Sequence, residues 1–316
     1  MKSFQKEKTK KLKILVVLGP TASGKTALAV SLARRFKGEI VSADSRQVYK
    51  GMDIGSGKDL QEYGRGANKI PYHLIDVVSP EEDFNVAKYQ KLAKEAIEDI
   101  AGRNKLPILT GGTGLYLQSI IDGFRLFPKQ PDLDKRRELE AKSVSELYHL
   151  LEKIKPDFAT KLNNSDRNNP RRLIRYLEII SSGGSLEKPK ADKRMDFLIL
   201  GLRQDDNLMR ERILKRIITR LEKQDMIDEV LRLLDEGISS RKLISFGLEY
   251  RFITWYLEDK LSYDEMIEKL LLASYRFAKR QKTWFKRLEK QGREINWLEG
   301  DVKKEAEKLV SAWLKK

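Results

Sequence analysis

The chain is most constrained between Lys13 and Phe36. Ile14-Leu15-Val16-Val17-Leu18 is a short apolar run rich in β-branched residues, the pattern of a buried strand. Gly19-Pro20-Thr21-Ala22-Ser23-Gly24-Lys25-Thr26 follows and meets G-x-x-x-x-G-K-[ST] at every fixed position. Ala27, Leu28, Val30, Leu32, Ala33 and Phe36 then recur at helical spacing. Strand, glycine loop and helix together build a phosphate cradle. Glycine lets several backbone N–H groups converge, and the helix N-terminus adds partial positive charge. Lys25 is placed to reach the outer phosphate and the Thr26 hydroxyl to ligate Mg²⁺. Residues 19–26 are therefore expected to bind a diphosphate. Whether it belongs to ATP, another nucleotide or a different ester is left open by the loop.

A length of 316 residues suits one large domain or two smaller ones. Lys and Arg number 63 against 47 Asp and Glu, a net charge of +16 that favours a polyanionic partner, nucleic acid before acidic membrane. A well-solvated lysine-rich surface is the plainer alternative. The absence of cysteine excludes disulfides and thiolate metal sites, and His73 and His149 alone leave little for a histidine metal centre. No apolar run approaches the roughly 20 residues that span a bilayer. The basic N-terminus leads straight into the first strand, unlike a secretion signal. A soluble cytoplasmic protein is expected.

Strand patterns at 39–42, 72–76 and 106–109 alternate with helical patterns at 85–101 and 115–121, which predicts a parallel sheet with helices on both faces. The P-loop, Asp44, Asp76 and Thr113 each follow a strand end and are expected to line one crevice. From Phe124 the alternation stops: 132–182 reads as helices only, with Pro156 and Asn169-Pro170 at helix starts and Ser181–Ser185 as a linker. A strand resumes at 197–202. Helices are expected at about 206–223, 226–236, 249–258 and 262–290, then a strand at 295–298 and a terminal helix. The predicted class is α/β, a P-loop NTPase-like core over 1–124 and 191–316 with a helical insertion over 125–190. Residues 1–11 read as a polar tail.

Asp44 stands in a polar string one strand beyond the P-loop strand, where its carboxylate suits either a general base or a helix cap. Asp76 occupies a Walker-B-like position, although the apolar run before it is short and a polar residue ending a strand explains it somewhat better. Gly111-Gly112-Thr113-Gly114 offers backbone donors and a hydroxyl, or marks a tight turn. Arg171, Arg172 and Arg175 open a helix whose other face is Leu173, Leu177 and Ile180; they suit phosphate contacts or a solvated basic face. Residues 274–287 interleave six basic with four aromatic residues, a pattern for phosphates and stacked bases in which some aromatics must belong to the core.

Together the motifs resemble the tRNA dimethylallyltransferase (tRNA isopentenyltransferase) family, in its bacterial form. The matching strings are GPTASGKT (19–26), SADSRQVYKGMDIG (42–55), PYHLIDV (71–77), GGTGLYL (111–117), NPRRLIRYLEI (169–179) and AKRQKTWF (278–285). The resemblance implies transfer of a dimethylallyl group from dimethylallyl diphosphate to N6 of adenosine-37 in tRNA, beside the anticodon, with release of pyrophosphate. It implies that Gly19 to Thr26 hold the diphosphate with Mg²⁺ at Thr26, and that Asp44 accepts the amine proton. Thr21 and Thr113 are implied near the reacting groups, Ser45, Arg46 and Gln47 at the base, and Arg136, Arg171, Arg172 and Arg175 on the anticodon arm. Arg216 is a further implied diphosphate ligand. The resemblance further implies an adenine extruded from its stack and enclosed between two lobes, and nothing in the sequence demands more than a monomer.

Two strings depart from the family pattern. Its usual Ala-x-Gly-Tyr-Lys/Arg-Glu is Ser245-Phe246-Gly247-Leu248-Glu249-Tyr250 here, and its Gly-Thr-Ala-Lys-Pro is Gly55-Ser56-Gly57-Lys58-Asp59. Neither is expected to touch the reacting groups. A prenyltransferase for free adenine nucleotides would not need the basic insertion, an ATP-dependent kinase would need a lid arginine pattern that is not recognisable, and an RNA-binding protein with a relic P-loop would not need Lys25 and Thr26.

Overall fold

The computed structural model describes residues 11–124, 132–184, 186 and 192–316. Six parallel strands form one sheet: β1 (Leu12–Leu18), β2 (Gly38–Ser42), β3 (Tyr72–His73), β4 (Leu106–Gly111), β5 (Met195–Leu202) and β6 (Asn296–Leu298), in the order β3-β2-β4-β1-β5-β6. β1 lies inside the sheet and is apolar on both sides because both sides are covered. Its alternate residues divide between two cores. Leu15 and Val17 meet Leu28, Val30 and Leu32 of the helix Lys25–Phe36 and Val310 of the helix Val302–Leu314. Ile14, Val16 and Leu18 face Tyr89 and Ile97 of the helix Val86–Gly102 and Leu117 of the helix Gly114–Ile121. The expected α/β core with helices on both faces is present.

A third apolar cluster joins Val48, Tyr49 and Met52, just beyond β2, to Ile213, Ile217, Val230 and Tyr250 of the C-terminal helices. This packing anchors the loop after β2 to helices more than 150 residues away in sequence. The chain divides into Met1–Gly123 with Ala191–Lys316, and Phe124–Lys190. The second unit is helical and has its own core of Leu147, Leu151, Ala159, Leu162, Leu173, Ile174 and Leu177. Ser143 and Glu146 form a capping box at the helix Val144–Ile154. Asn169 caps the helix Pro170–Ser181, with Pro170 in the first turn.

The expected strand over 72–76 stops at His73, because Leu74 (φ 63°) and Asp76 (φ 57°) are left-handed. β3 is also an edge strand, separated from β1 by β2 and β4. Asp76 therefore lies away from the P-loop. Its carboxylate pairs with buried Lys58, which also binds Asp53 at 2.5 Å and the Tyr49 carbonyl at 2.8 Å. The Walker-B-like reading of Asp76 is set aside. Residues 240–246, read from sequence as a connection, form a further helix, Ser240–Phe246, capped by the Ser239 side chain. Most of the polar tail and the start of the insertion, 125–131, lie outside the described residues.

Crowding of backbone on backbone fixes the turn after β4. A Cβ on Gly111 would stand 2.2 Å from the Ala43 carbonyl oxygen, closer than any relaxed contact. Gly111→Ala is expected to cost about 2–4 kcal/mol in chemical denaturation. Gly102→Ala, where a Cβ would meet nothing within 4 Å, is the control. Equal midpoints for the two variants would show that β2 and β4 separate cheaply.

Candidate active site

A cavity of about 530 Å³ opens at the carboxyl ends of β1, β2 and β4. Thr21, Ala22, Gly24, Lys25 and Thr26 form one wall, and Asp44, Ser45, Arg46 and Gln47 another. Further walls come from the 55–63 segment and from Arg212, Lys215, Arg216 and Arg220 on the helix Asp206–Lys223. Leu248, Glu249, Ser274 and Phe277 close it. Gly19, Pro20 and Ser23 stand behind the wall. Ala22 (φ 60°) and Gly24 (φ 84°) are left-handed, which curls the loop into the helix start. Gly19 has no room for a side chain, since a Cβ would stand 2.5 Å from Ser23 Oγ.

The loop is clamped from outside. Thr21 N–H donates to Gln281 Oε1 at 2.8 Å, and Gln281 Nε2 donates to the Gly112 carbonyl at 2.8 Å. One buried amide thus ties the P-loop to the turn after β4. Gln281 lies on the buried stripe Ser274, Ala278, Gln281, Phe285 and Leu288 of the helix Tyr263–Lys290. A polar residue on an otherwise mostly apolar stripe was the sequence signal for it. The three glycines of the 111–114 string each admit a neighbour: Gly111 the Ala43 backbone, Gly112 the Gln281 amide, and Gly114 the Trp284 ring.

Asp44 both turns the chain and faces the cavity. Its Oδ1 accepts from Arg46 N–H at 2.9 Å, and the residue lines the wall opposite Lys25. Thr113 does not reach that wall. Its Oγ1 accepts from Ser45 N–H at 3.0 Å and its backbone N–H donates to the Ala43 carbonyl at 3.1 Å, so it holds the turn that carries Asp44. Gln47 is fixed by Ser42 Oγ at 2.8 Å and by the Gly57 carbonyl at 2.9 Å.

Cations dominate the cavity. Burial lowers the Lys25 ammonium to about 8; Asp44 opposes the fall and Arg216 adds to it. Burial lowers Arg216 to about 10, aided by Arg220 and opposed by Glu249. Arg216 Nη2 donates to Thr21 Oγ1 at 2.6 Å, which places a guanidinium against the P-loop. Arg220, 3% exposed, points at the Asp59 carboxylate at 3.3 Å. A Cβ on Gly57 would lie 2.6 Å from Arg220 Nη2. The 53–55 segment is set by Glu229, which accepts from the backbone of Asp53, Ile54 and Gly55 at 2.8, 2.7 and 3.0 Å and from the Tyr250 hydroxyl at 2.8 Å.

Both departures from the family strings border the cavity. Asp59 and Gly57 touch Arg220, and Glu249 lines the wall beside Arg216. Sequence reasoning missed Arg220, Glu249, Glu229 and Gln281. The site holds no group of three or more Asp, Glu, His or Cys able to chelate a metal among the described residues. Thr26 lines the cavity, and an Mg²⁺ ion there would take its hydroxyl, water and phosphate oxygens as ligands.

In the helical unit, Arg172 pairs with Asp166, Arg175 with Glu178 at 3.2 Å, and Arg136 with Glu140 at 3.0 Å and Glu178 at 3.4 Å. Arg171 is exposed and has no ion pair among the described residues. The long C-terminal helix carries exposed Arg276, Lys279, Arg280, Lys286 and Arg287, while Phe285 is core.

The depressed lysine has a stability consequence. Below pH 8 Lys25 is charged in both folded and unfolded chains, so its burial penalty is fully present; it fades as pH rises from about 8 to 10.5, where only the unfolded lysine stays protonated. Lys25→Met is expected to stabilise the ligand-free protein at pH 7 by roughly 1–2 kcal/mol, after allowance for solvent in the cavity, and to abolish diphosphate binding. Denaturation at pH 7 and calorimetric titration with pyrophosphate check both halves. A destabilised variant would contradict the buried charge.

A sequence profile of the IPP transferase family matches residues 47–288. The chain is 48% identical over 290 residues to tRNA dimethylallyltransferase 1 of Syntrophus aciditrophicus, covering 91% of this chain and 94% of that one. Its fold aligns with full-length tRNA isopentenylpyrophosphate transferase from Bacillus halodurans at a TM-score of 0.68 and 36% identity, over 96% and 97% of the two chains. A eukaryotic dimethylallyltransferase acting on tRNA aligns at a TM-score of 0.73 and 26% identity, over 90% of this chain and 73% of that one.

Proposed function

The chain belongs to the IPP transferase family, and from that premise we propose that it transfers a dimethylallyl group from dimethylallyl diphosphate to tRNA. The acceptor is N6 of adenosine-37, beside the anticodon, and the products are N6-dimethylallyladenosine (i6A) and pyrophosphate. The observation that carries this reading is one cavity lined by a P-loop, a cluster of Lys and Arg side chains and the Asp44 carboxylate. The enzyme works as a cytoplasmic monomer. In support, a single unit of one chain builds the whole cavity, and no described helix is long and apolar enough to cross a membrane.

An exocyclic adenine amine is a poor nucleophile because its lone pair is delocalised into the ring. Its attack on C1 of the dimethylallyl group forms a C–N bond as the C–O bond breaks and pyrophosphate leaves. Charge grows on the leaving oxygen, and it is stabilised by Lys25, Arg216 and P-loop N–H groups, of which both cations line the cavity. The proton lost from N6 goes to Asp44. Because Arg46 N–H fixes one carboxylate oxygen, the other is free to meet the amine. Thr113 contributes by positioning, through Ser45. Mg²⁺, when bound at Thr26 and the phosphates, neutralises leaving-group charge. Ser45, Arg46 and Gln47 contact an adenine extruded from its stack. Arg136, Arg171, Arg172 and Arg175 hold the RNA backbone, three of them in orientations set by carboxylates.

The reading is tested with labelled dimethylallyl diphosphate, Mg²⁺ and either tRNA or AMP. Label is expected in tRNA; label in AMP alone, or in neither, would overturn it. Asp44→Ala is expected to bind tRNA within about twofold of wild type and lose about 10²–10⁴ in turnover. Near-normal turnover would remove Asp44 as the base. Affinity for tRNA should fall steeply with salt, and Arg171→Ala should reduce the slope of log K against log[salt] by about 1. An unchanged slope would take Arg171 off the RNA backbone.

A further inference from the structure

Glu249 is 7% exposed, lines the cavity, and takes no hydrogen bond or ion pair from any described residue. It sits in the first turn of the helix Leu248–Leu257, after left-handed Gly247 (φ 74°) and Leu248 (φ 43°), and Leu248 lines the same cavity. The charge it acts on is Arg216, the guanidinium that contacts the P-loop through Thr21. Asp59 does the corresponding work for Arg220, one helical turn away. Two carboxylates thus oppose two arginines at the end of the cavity where a diphosphate would sit.

We propose that Glu249 is an electrostatic counterweight in the diphosphate site, weakening the grip of Lys25 and Arg216 so that pyrophosphate leaves once the alkyl group has been transferred. The proposal rests on the reading of the donor as a prenyl diphosphate. A P-loop with a lysine and two arginines around it binds a multiply charged anion tightly, and tight binding of the product would hold the enzyme after each turnover. A fixed negative charge repels substrate and product diphosphate alike. It lowers affinity for both, and it helps most where release limits the rate.

Calorimetric titration of the full chain with inorganic pyrophosphate, with and without Mg²⁺, tests the idea. Affinity is expected to rise from wild type to E249Q to E249K, by about tenfold at each step. In rapid-quench assays E249Q should show a burst of one equivalent of prenylated tRNA followed by slower steady-state turnover, with a lower KM for dimethylallyl diphosphate. Unchanged or weaker pyrophosphate binding by E249Q would overturn the proposal; weakening seen only with Mg²⁺ would make Glu249 a metal ligand instead. The glutamine variant is isosteric and carries the test by itself if the longer lysine disturbs folding. Pyrophosphate binding needs no tRNA. Charge-independent affinities in a protein that prenylates tRNA would therefore sink this inference alone, whereas a wild-type protein that leaves tRNA unlabelled would sink the reading of function.

Discussion

Lys25, Arg216 and Arg220 are among the cations that share the wall of one partly closed cavity, and much of the surrounding architecture answers to that. Lys25, Arg216 and Arg220 lose hydration there, and burial is the largest influence on the first two. Charges of one sign cannot be brought together out of water without opposing groups. Asp44, Asp59 and Glu249 supply them from three different segments, and each must be delivered to its place. The turn under Asp44 is held by Thr113, and the segment leading to Asp59 by the four donors on Glu229. The fold around the cavity is in this sense a scaffold for balancing charge that a diphosphate would otherwise balance.

What could be read from the sequence was local. The P-loop announces itself because strand, loop and helix are contiguous and each has its own periodicity or glycine requirement. β1, β2, β4 and β5 were legible for the same reason: a strand covered on both faces is a plain apolar run. β3 was over-read, since two left-handed residues end it and nothing in Tyr72-His73-Leu74-Ile75-Asp76 signals them. The helix Ser240–Phe246 was missed because it is short and its period is hard to see over seven residues.

The contacts that shape the site were illegible because they join distant segments. Thr21 and Gln281 are 260 residues apart, and Asp53 and Glu229 are 176. Asp76 looked like a cavity acid because it follows a short apolar run, yet its position in the sheet, three strands from the P-loop, decides otherwise. Asp44 was ambiguous between cap and base on chemistry; in the structure it makes a turn with no helix after it and lines the cavity. A carboxylate has two oxygens; one makes the turn and the other remains.

The string Gly111–Gly114 invites a last thought about drift. At three of its four positions a methyl group would collide with backbone, with a buried amide or with an indole ring. These sites are closed to substitution by crowding alone, whatever reaction the cavity performs. A descendant that lost its activity would keep them as long as it kept its shape, so persistence of this motif reports ancestry of architecture. Only Glu249, Asp44 and their kind, which fill space that other residues could fill, would record a change of chemistry.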